Sequence, residues 1–180
     1  MISSKIVDGF NRQINAEFYS AFLYLQMAAW FESKNLPGFA NWMRVQKLEE
    51  EVHAMKFFNH LAERGAAVKL ATIDAPPLAW KSPLEVFEQA YAHEQKVTAM
   101  INSLVDLALA EKDHAAGTFL NWFVDEQVEE EASTSGVVEK LKLVGSEGGG
   151  LFMIDRELAT RVFTPPPTAA GKAPPASVGA

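Results

Sequence analysis

The sequence predicts an all-α protein: a four-helix bundle with one long crossover between helices 2 and 3, plus a short fifth helix towards the C-terminus. Three features carry that prediction. Four segments repeat apolar residues at alternating steps of four and three, the period of one helix face. Each is about 28–30 residues long, or roughly 40–45 Å as helix. The links between them are unequal: short between helices 1 and 2 and between 3 and 4, long between 2 and 3. Short links fold their helices back as antiparallel hairpins, whereas the long one can cross the length of the bundle.

Each element has marked ends. Helix 1 is expected from about Ser4 to Ser33, where "NLPG" breaks the chain. Helix 2 runs from about Pro37 to Arg64, closed by Gly65. Residues 66–82, with Pro76 and Pro77, have no helical period and form the crossover. Ser82, Pro83 and Glu85 then supply an N-cap, a first-turn proline and a capping-box acid. Helix 3 continues to about Glu111. "KDHAAG" is a short break, and helix 4 reaches about Val144 before "GSEGGG". The fifth helix is expected from roughly Leu151 to Val162. This divides the chain into a bundle with its fifth helix, residues 1–163, and a Pro/Ala-rich extended tail, residues 164–180.

Bulk chemistry narrows the function. With 180 residues, 48% of them hydrophobic, the chain can bury a substantial core and keep apolar surface for subunit contacts. A net charge of −7 argues against nucleic acid and anionic membrane and for cationic partners. The absence of cysteine excludes disulfides, thiolate metal sites and cysteine nucleophiles. The polar N-terminus reads as no signal peptide, and the charge-free run Phe18 to Phe31 is too short to span a bilayer. A soluble, cytoplasmic protein is expected.

The decisive stretch is "LEEEVHAMKFF", residues 48–58. Registering helix 2 gives Phe39, Met43, Gln46, Glu50, His53, Phe57, so Glu50 and His53 fall on the apolar stripe. Helix 1 gives Phe10, Ile14, Glu17, Ala21, Tyr24, Ala28, Phe31. Helix 3 gives Phe87, Tyr91, Glu94, Thr98, Ile101, Val105, Ala108. Helix 4 gives Ala116, Leu120, Phe123, Gln127, Glu130, Thr134, Val137, Leu141, Val144. Every stripe is thus interrupted near its middle by a carboxylate. Glu50-x-x-His53 and Gln127-x-x-Glu130 each add a second polar group one turn away. Burying Glu17, Glu50, Glu94 and Glu130 together is untenable without positive charge, and no Lys or Arg lies on these stripes. Two divalent cations balance four carboxylates. Oxygen ligands with one imidazole suit iron, manganese or zinc in a dinuclear site. Any one of these glutamates alone would read as a polar seam; the set in register reads as a metal centre.

At these residues the sequence resembles the bacterial non-haem ferritins. The resemblance covers residues 1 to about 162 and includes "NAEFYSAFLYLQMAAW", "LEEEVHAM", "HEQKVTAMIN", "FLNWFVDEQVEEE" and "GLFMIDREL". It implies a ferritin-like bundle that assembles into a hollow shell of twenty-four subunits. It further implies a ferroxidase centre at which Fe²⁺ is oxidised by dioxygen or hydrogen peroxide and stored as ferric mineral. By position, Glu17 and His53 hold one iron, Glu94 and Glu130 the other, and Glu50 bridges; Gln127 sits beside the second. Glu49, Glu126 and Glu129 match a third iron site that shares Glu130, and Tyr24 matches a tyrosine suited to electron donation. Glu51 and Glu131 read as solvated face.

Haem is not expected. The haem-bearing relatives place a methionine where Glu51 stands and a second Glu-x-x-His where this chain has Gln127 and Glu130, so Met27, Met43 and Met55 read as core. A di-iron oxygenase or peroxidase on the same fold, or a non-catalytic metal-buffering bundle, would share the ligands; oxygen-dependent Fe²⁺ oxidation with retained mineral separates them. His60 and His93 read as packing or interface histidines. Phe18, Phe22, Leu25 and Ala29 form a second apolar stripe on helix 1, better explained by a subunit contact than by solvent.

Overall fold

The structure, a computed structural model, describes residues 2–145 and 148–165. Among them are five helices: α1 Ser4–Ser33, α2 Pro37–Glu63, α3 Pro83–Ala110, α4 His114–Val144 and α5 Gly148–Leu158. The first four form the expected bundle. α1 packs on α2 and α3 on α4, the two hairpins meet through α1 and α3, and α5 lies against α2 and α4. Asn35 and Lys112 close the two hairpin turns in the left-handed conformation. Most of the expected tail, from residue 166 on, lies outside the described residues.

The crossover spans the bundle as its length required. It leaves α2 beside the start of α1, where the Asn11 side chain donates to Ala67 O at 3.1 Å and accepts from Lys69 N at 2.6 Å. One turn on, Asn15 donates to Thr72 O at 3.1 Å. The segment then reaches the far end of α1, where Trp80 packs edge-on against Trp30 with ring centroids 6.0 Å apart. α3 therefore starts near the start of α2 and runs in the same direction. Ser82 caps it, accepting from Glu85 N at 3.1 Å, while Glu85 reaches back to the amide of Lys81.

The stripes of α1, α2 and α4 are buried as registered, except that Val144 at the end of α4 is half-buried. That of α3 is rotated: Ala90, Val97 and Leu104 are buried where the sequence pointed to Tyr91, Thr98 and Val105, which are half-buried. Both readings share Phe87, Glu94, Ile101 and Ala108, because a 3.5-residue seam on a 3.6-residue helix leaves the intermediate position ambiguous. Met27 and Met43 are core, but Met55 is exposed. The helix 2 stripe through His53 and Phe57 turns Met55 to the opposite face.

α5 also departs from expectation. It begins at Gly148 and ends at Leu158, four residues short of Val162. Its end is set by tertiary contact: the Asn41 side chain donates to the carbonyls of Leu158 at 3.2 Å and Arg161 at 2.9 Å, which pulls the chain out of helix. The favour is returned at the start of α2. Leu36, its N-cap, offers no side-chain acceptor, and Asp155 of α5 accepts instead from Gly38 N at 2.8 Å and Phe39 N at 3.0 Å.

Gly38 is required for this reciprocal capping. A Cβ there would lie 1.7 Å from Asp155 O, backbone that cannot move without detaching α5. Gly38→Ala is expected to cost at least ~2 kcal/mol by overpacking and loss of the cap. It should lower the melting temperature and expose residues 148–158 to limited proteolysis while the four long helices keep their circular dichroism. An unchanged proteolytic pattern would show that α5 does not depend on this contact.

Candidate metal centre

The bundle core is two apolar clusters with a polar layer between them. One gathers Phe31, Phe39, Met43, Phe87 and Val137; the other gathers Phe10, Ile14, Phe57, Ile101 and Phe123. Glu17, Glu50, His53, Glu94, Gln127 and Glu130 lie in the gap, each at most 4% exposed. They meet there because each occupies the middle of its stripe, and antiparallel hairpins bring helix middles to one level.

The layer has two foci. Ligand atoms of Glu17, Glu50 and His53 all lie within 4.8 Å of one another, and so do those of His53, Glu126 and Glu130. His53 joins the two, with Nδ1 3.2 Å from Glu50 Oε2 and Nε2 3.9 Å from Glu126 Oε1. Glu94 belongs to neither group and is held from the side. Tyr24 donates its hydroxyl hydrogen bond to Glu94, and Gln127 Nε2 donates to Glu94 Oε2 at 3.4 Å and Thr98 Oγ1 at 3.2 Å. Tyr24 is fully buried against Trp42 and His93.

Of the residues matched to a third site, Glu126 is half-buried beside His53, Glu49 is half-buried and Glu129 is exposed, and neither Glu49 nor Glu129 belongs to either group. Glu51 is half-buried, its side chain 42% exposed, and pairs with Lys47 at 2.6 Å. Glu131 is not simply solvated: it is half-buried and accepts from Thr98 Oγ1 at 2.6 Å. His93 is a packing residue, 2.7 Å from Ser20 Oγ, with burial pushing its imidazole down to about 4. His60 stacks on Phe119 at 4.1 Å.

The electrostatics call for cations. Burial, and next the Glu50 charge, push the Glu17 carboxyl up to about 8. Burial raises Glu50 and Glu130 well above the ordinary carboxylate range, with the Glu94 charge adding to both. Glu94 is also raised by burial, against the pull of the hydrogen bonds from Tyr24 and Gln127. Glu17 Oε2 is buried with no hydrogen-bond partner. A divalent ion would supply both a positive charge and a partner for that oxygen.

Known proteins decide the family. The profile of the ferritin-like domain matches residues 7–144. A bacterial non-heme ferritin of Bacteroides fragilis is 45% identical over 161 residues, covering 89% of this chain and 100% of its own length. The chain belongs to the ferritin family. A probable bacterial non-heme ferritin-like protein of Haemophilus influenzae is 43% identical, over 88% of this chain and 96% of its own. Among solved structures, an open pore ferritin from Archaeoglobus fulgidus superposes with a TM-score of 0.89 at 54% identity, covering 90% of this chain and 100% of that one.

Three supporting residues of this ferritin lay in plain sequence without being assigned a role. Gln13 donates to Glu17 Oε1 at 2.9 Å, and Gln46 donates to Glu130 Oε2 at 2.5 Å. Each stands four residues before a candidate ligand on the same helix, which is the signal that could have found them. Arg161 had no such signal. It reaches Gln46 and Glu49 from beyond α5, so the layer has a cation at its edge that no stripe contained.

Raised carboxyl groups make the ion-free fold sensitive to alkali. Between the ordinary carboxylate range and about 8, folded Glu17 holds a proton that the unfolded chain has lost. That contribution is complete at low pH and is lost as pH rises through about 8. The melting temperature of metal-free protein should therefore fall from pH 5 to pH 8. Saturating Zn²⁺ should remove most of that slope, and Glu17→Gln should lessen it without metal, leaving the part due to Glu50, Glu94 and Glu130. Equal slopes in all three samples would show that these carboxyls do not titrate with folding.

Proposed function

We propose that this ferritin stores and detoxifies iron: it oxidises Fe²⁺ at a paired site in the mid-bundle layer and holds the product as ferric mineral inside a closed shell. The observation that carries the reading is the layer itself, four buried glutamates and a histidine between two apolar clusters.

Glu17 and His53 hold the first Fe²⁺, Glu94 and Glu130 the second, with Glu50 bridging and Gln127 beside the second. The convergence of Glu17, Glu50 and His53 supports the first half of this set, and that of Glu130 with His53 supports their closeness to the second. Fe²⁺ is substrate here, and its entry displaces protons from carboxyl groups that burial keeps neutral. Two adjacent ions give up one electron each in one event. Dioxygen takes both with two protons to give hydrogen peroxide, or hydrogen peroxide takes both with two protons to give two waters; neither route releases a one-electron radical. Tyr24, bonded to Glu94, stands ready as a further electron donor. Glu49, Glu126 and Glu129, with Glu130, form a third position through which iron passes towards the mineral.

The shell is read as twenty-four subunits. Phe22 and Leu25 are exposed on α1 with Ala29, and they flank a cavity of about 230 Å³ shared with Arg44 and Pro76. Exposed apolar residues in a stripe mark a subunit contact. On α5, Phe152 and Met153 point outward while Ile154 and Leu158 hold the helix to its own bundle. Residues 1–163 are taken as the folded subunit and 164–180 as its appendage. Among the described residues no helix is long and apolar enough to cross a membrane.

Glu50→Ala should slow the oxygen-dependent oxidation of Fe²⁺ by at least ~100-fold, since even residues that only support a ligand cost 10–100-fold. Helicity should be unchanged. Stopped-flow absorbance of the ferric product and iron retained after gel filtration are the measurements; wild-type rates would remove Glu50 from the centre. For the assembly, Phe22→Glu places charge on the α1 stripe and should shift sedimentation from the shell to species of a few subunits. A shell of unchanged size would mean that this stripe is not a contact.

A further inference from the structure

Arg161 lies outside the helices, beyond the end of α5, yet its guanidinium reaches the edge of the polar layer. Its Nη2 donates to Glu49 Oε2 at 2.6 Å, and its Nη1 donates to Gln46 Oε1 at 2.8 Å. Its guanidinium lies over Trp42, Cζ 4.4 Å from the ring centroid. The backbone around it is fixed by Asn41, which donates to Arg161 O at 2.9 Å. Arg161 and Glu49 are both mostly buried, their side chains 23% and 20% exposed.

These contacts place a fixed positive charge where a cation would otherwise go. Glu49 faces a cavity of about 230 Å³ that it shares with His53, Trp122 and Glu126, closed on one side by Thr164 and Pro165. The same short stretch of chain, residues 161–165, thus contributes both the guanidinium and part of the cavity wall. Gln46, held by Arg161 through its oxygen, turns its amide nitrogen to Glu130 and, at 3.5 Å, to Glu50. Arg161 is therefore in contact with the cavity through Glu49 and with the paired site through Gln46.

We propose that Arg161 is a latch on the cavity beside the paired site: its guanidinium is paired with Glu49, so a third divalent cation at Glu49 and Glu126 binds in competition with it. The inference rests on the proposed reading of these residues as cation ligands. The guanidinium already takes Glu49 Oε2 and sets a positive charge beside it, so an ion at Glu49 meets both a competitor for the carboxylate and like-charge repulsion. The latch keeps the third position weak while the paired site, which has no such competitor, stays strong. It also ties occupancy to the chain beyond α5, because the Glu49 pair is one of the contacts, with Asn41, Gln46 and Trp42, that hold Arg161 in place. Arg161 is a positioning residue in this scheme and touches no reacting atom.

The test is anaerobic calorimetric titration of the assembled protein with Zn²⁺, which takes the same ligands without redox chemistry, alongside Co²⁺ absorption to report coordination number. Wild type should bind a tight pair and a weaker third ion. Arg161→Gln should tighten the third ion by ~10-fold, the scale of losing one charge-assisted pair, and leave the pair unchanged. Arg161→Lys keeps the charge but not the fork or the stacking on Trp42, and should tighten the third ion less than Arg161→Gln does. Glu49→Gln in the Arg161→Gln background should abolish the gain. Arg161→Met, which keeps the stem over Trp42, serves the same comparison should Arg161→Gln fail to assemble. A third ion no tighter in Arg161→Gln and Arg161→Met, with the pair intact, overturns the latch while the paired centre stands. Loss of the tight pair from wild type itself overturns the centre, and the latch with it.

Discussion

The structure depends on one unfavourable fact, a layer of buried carboxyl groups with too little positive charge among them. Glu17, Glu50, Glu94 and Glu130 are as buried as the phenylalanines above and below. Were they ionised and unpaired, the cost would exceed the stability of an ordinary domain several times over. The fold meets this in two ways. It lets the groups stay protonated, as their raised affinities for protons record. It also surrounds them with amide donors, Gln13, Gln46 and Gln127, which hydrogen-bond a carboxyl group whether or not it is charged. Glutamine is suited to this task because it orients a ligand without competing electrostatically with an incoming cation.

Rigidity comes from the apolar clusters on either side. Phe10, Phe57, Phe119 and Phe123 pack ring against ring below the layer, and Phe31, Phe39, Trp42 and Phe87 above it. Aromatic packing of this kind holds helix axes at fixed spacing. Helix spacing in turn fixes how far apart facing carboxylates stand. The polar layer could not hold that geometry alone, since its members repel one another once ionised.

α5 is integrated with the bundle through its ends. Asp155 supplies the N-cap that α2 lacks, Asn41 of α2 supplies the C-cap of α5, and Arg161 extends the contact to Gln46 and Glu49. All three contacts fall on the first half of α2, one helix face leading from the bundle end to the polar layer. A short, glycine-led helix with two buried apolar residues would hold weakly by burial alone. Exchanged caps satisfy backbone groups that neither helix end could satisfy by itself.

Much of this could be read from the sequence because helical period converts spacing into direction. The four long helices, the crossover, and the inward pointing of Glu17, Glu50, His53, Glu94, Gln127 and Glu130 all follow from steps of three and four with marked ends. Where period is ambiguous the reading slipped: Tyr91, Thr98 and Val105 share a seam with Ala90, Val97 and Leu104, and only packing against α1 and α4 chose between them. Glu131 lies on the flank, and its bond to Thr98 depends on where α3 sits. What the sequence could not carry at all is contact between residues more than a hundred positions apart and off the stripes. The end of α5 at Leu158, the glycine at 38, and Arg161 against Glu49 are of that kind. Local propensity and spacing fix which way a side chain points from its own helix, whereas a cap or an ion pair between separate elements exists only once the helices have docked.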